Sequence, residues 1–124
     1  MDQPTRPEPV IWVGPARREL KALPREVQRT MGIALWFAQQ GRIHPAASLM
    51  KGARFGGVIE VREDFDRSTY RLMYVAKLGE VIYALCAFRK KATKGIPTPR
   101  HLLDRVAERL RQAHEIHKQR GAEP

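Results

Sequence analysis

Three strand-like runs joined by short turn-forming segments fill residues 57–91, and they restrict the chain to folds built on a three-stranded meander. Val58–Glu63 (VIEVRE) alternates apolar with polar side chains, Tyr70–Lys77 (YRLMYVAK) is rich in aromatic and β-branched residues, and Val81–Phe88 (VIYALCAF) is a continuous apolar run. The connection Asp64–Ser68 (DFDRS) is dense in turn formers. Leu78–Glu80 (LGE) is short enough to make the second and third strands antiparallel neighbours. The third run shows no polar alternation before Arg89, so it is expected to be buried on both faces and to occupy a central position in the sheet.

Successive residues of a strand point to opposite sides, so each run divides into two faces. Ile59 and Val61 oppose Glu60 and Arg62; Tyr70, Leu72 and Tyr74 oppose Arg71, Met73 and Val75; Phe88 and Lys90 oppose Arg89 and Lys91. If helices cover one face, unpaired charges belong on the other. Arg62, Arg71 and one or both of Lys90 and Lys91 are therefore candidates for a common basic surface, with the strand register left open. Glu60 is expected to be an internal ion-pair partner, with Arg62 the nearest cation in sequence.

The segments around the meander read as helices and arms. Residues 1–9 carry prolines and charges without periodicity and are expected to form a flexible arm. Val10–Val13 reads as a short strand closed by Gly14-Pro15. A helix is expected from Pro15, with Ala16, Leu20 and Leu23 as its apolar stripe. A second runs from Pro24 to Gln40, with Val27, Met31, Ala34, Leu35 and Ala38 at helical spacing, Trp36 as a packing residue, and Gly41 as C-terminal cap. Residues 42–56 hold no sustained period and read as a loop. A basic loop, 92–97, leads to Thr98 as N-cap, Pro99 at the first helical position, and a last helix to about Lys118. The outer face of that helix carries Arg100, Arg105, Arg109 and Arg111. One domain over residues 10–118 follows, with 119–124 frayed.

A formal net charge of +10 favours an anionic partner, nucleic acid or an acidic protein segment. The longest apolar run falls far below the roughly 20 residues of a membrane span, and the N-terminus lacks the basic-then-apolar order of a signal peptide. A cytoplasmic protein without a membrane partner is the expectation. The single cysteine, Cys86, lies in the most apolar strand and reads as a small buried hydrophobe. His114 and His117 are spaced like two metal ligands, but no third ligand accompanies them, so no metal or other cofactor is expected.

The order strand, two helices, three-stranded meander, helix, together with Glu60-Val-Arg62, Tyr70-Arg-Leu-Met-Tyr74 and Leu85-Cys-Ala-Phe-Arg-Lys-Lys91 followed by Thr98-Pro99, resembles toxins of the RelE/ParE superfamily. The likeness is to its phage-derived, HigB-like branch and covers roughly residues 10–113. It implies a small α+β, RelE-like domain: the toxin of a type II toxin-antitoxin system, a metal-independent endoribonuclease that cleaves mRNA on the ribosome. A cognate antitoxin, often a helix-turn-helix protein, would neutralise it.

Cleavage of this kind uses the adjacent 2′-hydroxyl as nucleophile, so the enzyme must stabilise a dianionic phosphorane, withdraw one proton and deliver another. The catalytic candidates are Arg62, Arg71, Lys90 and Lys91, the arginines as forked phosphate ligands and the lysines as charges or proton carriers. The RNA-binding candidates are Lys51 and Lys94 on the backbone, Tyr74 or Phe88 stacked on a base, and His101 from the start of the last helix. Acid and base stay unassigned, because His44, His101, His114 and His117 all fall outside the meander. Two alternatives share these residues: a gyrase-directed toxin on the same scaffold, and a basic module that binds nucleic acid without chemistry.

Overall fold

The computed structural model describes residues 8–78, 81–91 and 97–122, the side chains of Lys77, Lys91 and Ala122 excepted. Among them the elements run β1 (Val10–Trp12), α1 (Ala16–Lys21), α2 (Arg25–Gln39), β2 (Ala47–Leu49), a 3-10 turn (Ala53–Phe55), β3 (Val58–Phe65), β4 (Ser68–Leu78), β5 (Val81–Lys91) and α3 (Arg100–Ala122). The five strands form one mixed sheet in the order β1-β5-β4-β3-β2, with β1 parallel to β5 and every other pairing antiparallel. The class is α+β, as the sequence led us to expect, and the architecture is compatible with a small RelE-like domain. No described helix is long and apolar enough to cross a membrane.

The meander is tighter than its turn-forming residues implied. β3 and β4 pair as far as Phe65 opposite Ser68, which leaves only Asp66 and Arg67 in the turn. Both have positive φ, 48° and 62°, as a two-residue turn matching the strand twist requires. Asp64, Phe65, Ser68 and Thr69 are therefore strand residues. β5 lies between β1 and β4 and is buried from Val81 to Phe88, which accounts for its uninterrupted apolar run.

Two further expectations about the sheet need correction. Within 42–56, Ala47–Leu49 adds an edge strand to β3, too short to show a period of two. Helices also cover both faces of the sheet, not one. α3 packs with Val58, Met73, Val75, Tyr83, Leu85 and Phe88, while α1 and α2 pack with Ile59, Val61, Tyr70, Leu72, Tyr74 and Ile82. Each strand therefore buries both of its residue sets in the middle of the sheet, and unpaired charge is displaced to the sheet's end.

Helix ends follow the punctuation of the sequence. Pro15 and Pro24 sit immediately before α1 and α2. At the end of α2, Gly41 adopts φ 76°, its N–H donates to the Ala38 carbonyl at 2.9 Å, and the Arg42 N–H reaches the Phe37 carbonyl at 2.8 Å. The Pro99 carbonyl accepts from the Leu102 and Leu103 N–H groups, so Pro99 rather than Thr98 precedes the first turn of α3. That helix continues to Ala122, past the expected end near Lys118. Trp36 is not a packing residue: it is 51 % exposed. Residues 1–7 of the N-terminal arm, the 79–80 turn and the 92–96 loop lie outside the described residues.

One buried ion pair fastens three elements together. Arg109 of α3 grips Glu19 of α1 through two bonds of 3.0 and 2.8 Å and donates a third, of 2.8 Å, to the Leu85 carbonyl of β5. Glu19 also accepts from the Ala87 N–H at 3.3 Å. β1 pairs with β5 only through Ala84, and Leu85 is the extra residue where the β4–β5 register shifts. The guanidinium and carboxylate thus satisfy β5 backbone groups where its partner strand has ended. The Glu19 hydrogen bonds hold the Arg109 pKa above its ordinary value, against the opposing effect of burial. Arg109 accordingly leaves the set of solvent-facing arginines on α3.

Candidate functional site

Register decides which meander charges meet. On the face that α3 covers further along, each strand changes from apolar to polar toward the same end: Val58, Glu60, Arg62, Asp64 on β3; Met73, Arg71, Thr69 on β4; Cys86, Phe88, Lys90 on β5. Two cross-strand rows result. Arg62, Arg71 and Phe88 form the first, and Asp64, Thr69 and Lys90 the second. Arg62, Arg71 and Lys90 therefore share one surface beyond the apolar core.

Like charges placed directly opposite destabilise a sheet, and Arg62 stands opposite Arg71. Two carboxylates offset them. The Arg71 Nη1 donates to Glu60 Oε2 at 3.0 Å and to Thr98 Oγ1, just before α3, at 2.9 Å. Both members of that ion pair are largely buried, with side-chain exposures of 13 % and 18 %. Glu60 is thus an internal partner, but of Arg71 and not of Arg62. The exposed Arg62 lies 3.6 Å from Asp64, whose Oδ1 also accepts from the buried Thr69 hydroxyl at 2.8 Å. Arg71 is held in place, whereas Arg62 can swing toward a ligand.

Desolvation holds the Lys90 pKa below the ordinary lysine value; Arg71 and then Arg62 lower it further, and Glu60 opposes them. That coupling marks the three cations as one electrostatic unit. With three cations against Glu60 and Asp64, the surface keeps a positive excess, and its least basic member is an amine able to exchange protons. A phosphate could be gripped by Arg62 while Arg71 and Lys90 supply field from beneath.

The other candidates divide. His101 is exposed in the first turn of α3, three residues from the Arg71 partner Thr98. Lys51 is exposed but follows Met50, which bonds to Val58, four residues along β3 from Arg62, or about 13 Å. It could touch RNA only at another nucleotide. Phe88 lies in the right row but is 6 % exposed beneath α3, and Tyr74 is fully buried against α1 and α2 on the opposite face. Neither can stack on a base as placed. Lys91 stands opposite Ser68, one residue out of phase with Lys90; its side chain, like all of Lys94, lies outside the described residues.

Cys86 is buried, and burial, with Glu19 adding to it, pushes its thiol up to about 12, so it is no nucleophile. The Nδ1 of His117 lies 3.0 Å from the Tyr83 hydroxyl. Asp64, Thr69 and Thr98 are site residues that local sequence pattern does not mark out. The period of two would have placed Asp64 beside Arg62 had the strand been read past Glu63; no local signal ties Thr98 to Arg71, 27 positions away.

Among curated proteins, none matches this chain. A family model described as phage-derived protein Gp49-like (DUF891) matches residues 18–111, a span that runs from α1 through the meander to most of α3 and so includes every described cation of the site. The chain belongs to this phage-derived, Gp49-like family of toxin-like proteins.

Proposed function

We propose that the protein is a ribosome-dependent endoribonuclease toxin, and that the surface formed by Arg62, Arg71 and Lys90 is where mRNA is cut. The observation that carries this reading is the convergence of two arginines and a lysine of lowered pKa in adjacent rows of one sheet face. Arg62 binds the scissile phosphate, and the fixed guanidinium of Arg71 adds positive field as negative charge builds on the phosphorane. Lys90 donates a proton to the leaving 5′-oxygen. In this reading His101, exposed three residues after Thr98, assists proton transfer from the 2′-hydroxyl. An acidic, helix-turn-helix antitoxin is the partner that the family resemblance supports.

One observation favours a second reading, a basic module that binds nucleic acid without cutting it: Arg71 already has two protein partners, Glu60 and Thr98. Inducing the protein in growing cells separates the readings. The endoribonuclease halts growth and leaves transcripts cut inside coding regions. Arrest with intact transcripts contradicts it, pointing to a gyrase-directed toxin if DNA topology changes and to a binding module if it does not.

A further inference from the structure

Apolar exposure is concentrated on one helix. Of the four large apolar side chains exposed among the described residues, Ile33 (45 %) and Trp36 (51 %) lie on α2, and Ile43 follows it closely. Ile33 and Trp36 are three residues apart and so occupy one side of the helix. The Phe37 ring lies 5.8 Å from that of Trp36 and 5.0 Å from that of His44, and the Arg42 guanidinium stands 4.6 Å from its centroid. Gly32 shares this side. Among the described residues a Cβ there would meet nothing within 4 Å, so none of their contacts requires a residue that weakens a helix interior. Arg25, Arg29 and Arg42 are exposed around the patch, and Glu26 is the one acidic residue in α2.

We propose that this face of α2 is a docking site for an acidic amphipathic helix of a partner protein. Ile33 and Trp36 anchor its apolar stripe, the notch at Gly32 admits its backbone, and the arginine rim meets its carboxylates. A second copy of this chain would bring arginine rim against arginine rim in a symmetric contact, which charge disfavours. RNA would find Ile33 unable to stack. Because α2 packs on the sheet face opposite Arg71 and Lys90, the occupant leaves the cationic rows open. The inference stands on α2 alone and not on the cleavage reading.

The test titrates the full chain with synthetic helical peptides of about 18 residues, or five turns. One carries leucines along one face flanked by glutamates; a second has lysines for the glutamates; a third is the glutamate peptide scrambled; a uridine oligomer is run in parallel. The glutamate peptide is expected to bind, and Trp36→Ser to weaken it about thirtyfold while the fold melts unchanged. Gly32→Leu should weaken it similarly while raising the Tm of the free protein by about 4 °C, since leucine is the better helix former. Arg62→Ala should have no effect on this binding. The proposal is overturned if the glutamate peptide does not bind, if the lysine or scrambled peptide binds as well, or if Trp36→Ser leaves binding intact. It is also overturned if Trp36→Ser instead abolishes binding of the uridine oligomer or self-association seen by sedimentation. Cleavage is not read in any arm, so failure of the endoribonuclease reading leaves the outcome unaffected.

Discussion

Arg109→Ala is expected to destabilise the protein by about 3–5 kcal/mol, the usual consequence of leaving one member of a buried ion pair without its partner. Arg109 and Glu19 are only 11 % and 18 % exposed, so little water can replace the lost contacts. The substitution also frees the Leu85 carbonyl and leaves Glu19 with the Ala87 N–H alone among the described residues. Against a typical total of about 5–15 kcal/mol, much of the molecule's stability would be lost. Chemical denaturation checks this, and the Glu19→Ala, Arg109→Ala double variant should cost clearly less than the sum of the single changes. Additivity would show that the pair does not act as a unit. By contrast, Arg111→Ala removes an exposed pair with Glu108 and should leave the denaturation midpoint almost unchanged.

Arg62→Ala is expected to lower the rate of RNA cleavage by roughly a hundredfold to a thousandfold, the range typical of removing one donor to a developing oxyanion. Stability should scarcely change, because Arg62 and Asp64 are 55 % and 70 % exposed and 3.6 Å apart. Arg71 is the less clean target, since its removal would leave Glu60 buried without its ion-pair partner. The same variant carries a signed pH prediction. Lys90 must be protonated to act as the acid, so activity is present below its pKa and lost as pH rises through it. That alkaline limb falls below the ordinary lysine range, because desolvation, Arg71 and Arg62 all lower the Lys90 pKa. Deleting Arg62 removes one of those causes and should move the limb to higher pH. A limb that stays in place would remove Lys90 from the proton transfer.

Alternation along the strands was enough to read the meander and to place Glu60 with Arg62, and Phe88 with Lys90. It also set Tyr74 apart from Arg71, so its burial on the other face is what strand parity already required. What strand parity cannot supply is register. Only the pairing of Arg62 with Arg71, and of Thr69 with Lys90, assembles the site and gives Glu60 to Arg71 instead of its neighbour in sequence. Long-range partners are equally silent: Arg109 reads as one more cation on a charged helix face, and its capture by Glu19, 90 positions away, depends on where β1 stops. β2 is silent in the sequence because three residues carry no period, and apolar spacing alone does not reveal that Trp36 lies on the side of its helix that stays uncovered.

The chemistry of the cut ends tests the central claim most directly. Purified protein would be added to ribosomes programmed with an end-labelled mRNA, and the products analysed for their termini. Attack by the 2′-hydroxyl, with charge held by Arg62 and Arg71 and a proton supplied by Lys90, predicts cuts that leave a 2′,3′-cyclic phosphate on one fragment and a 5′-hydroxyl on the other, nearly absent with Arg62→Ala. Uncut mRNA, or fragments bearing a 5′-phosphate, would contradict it.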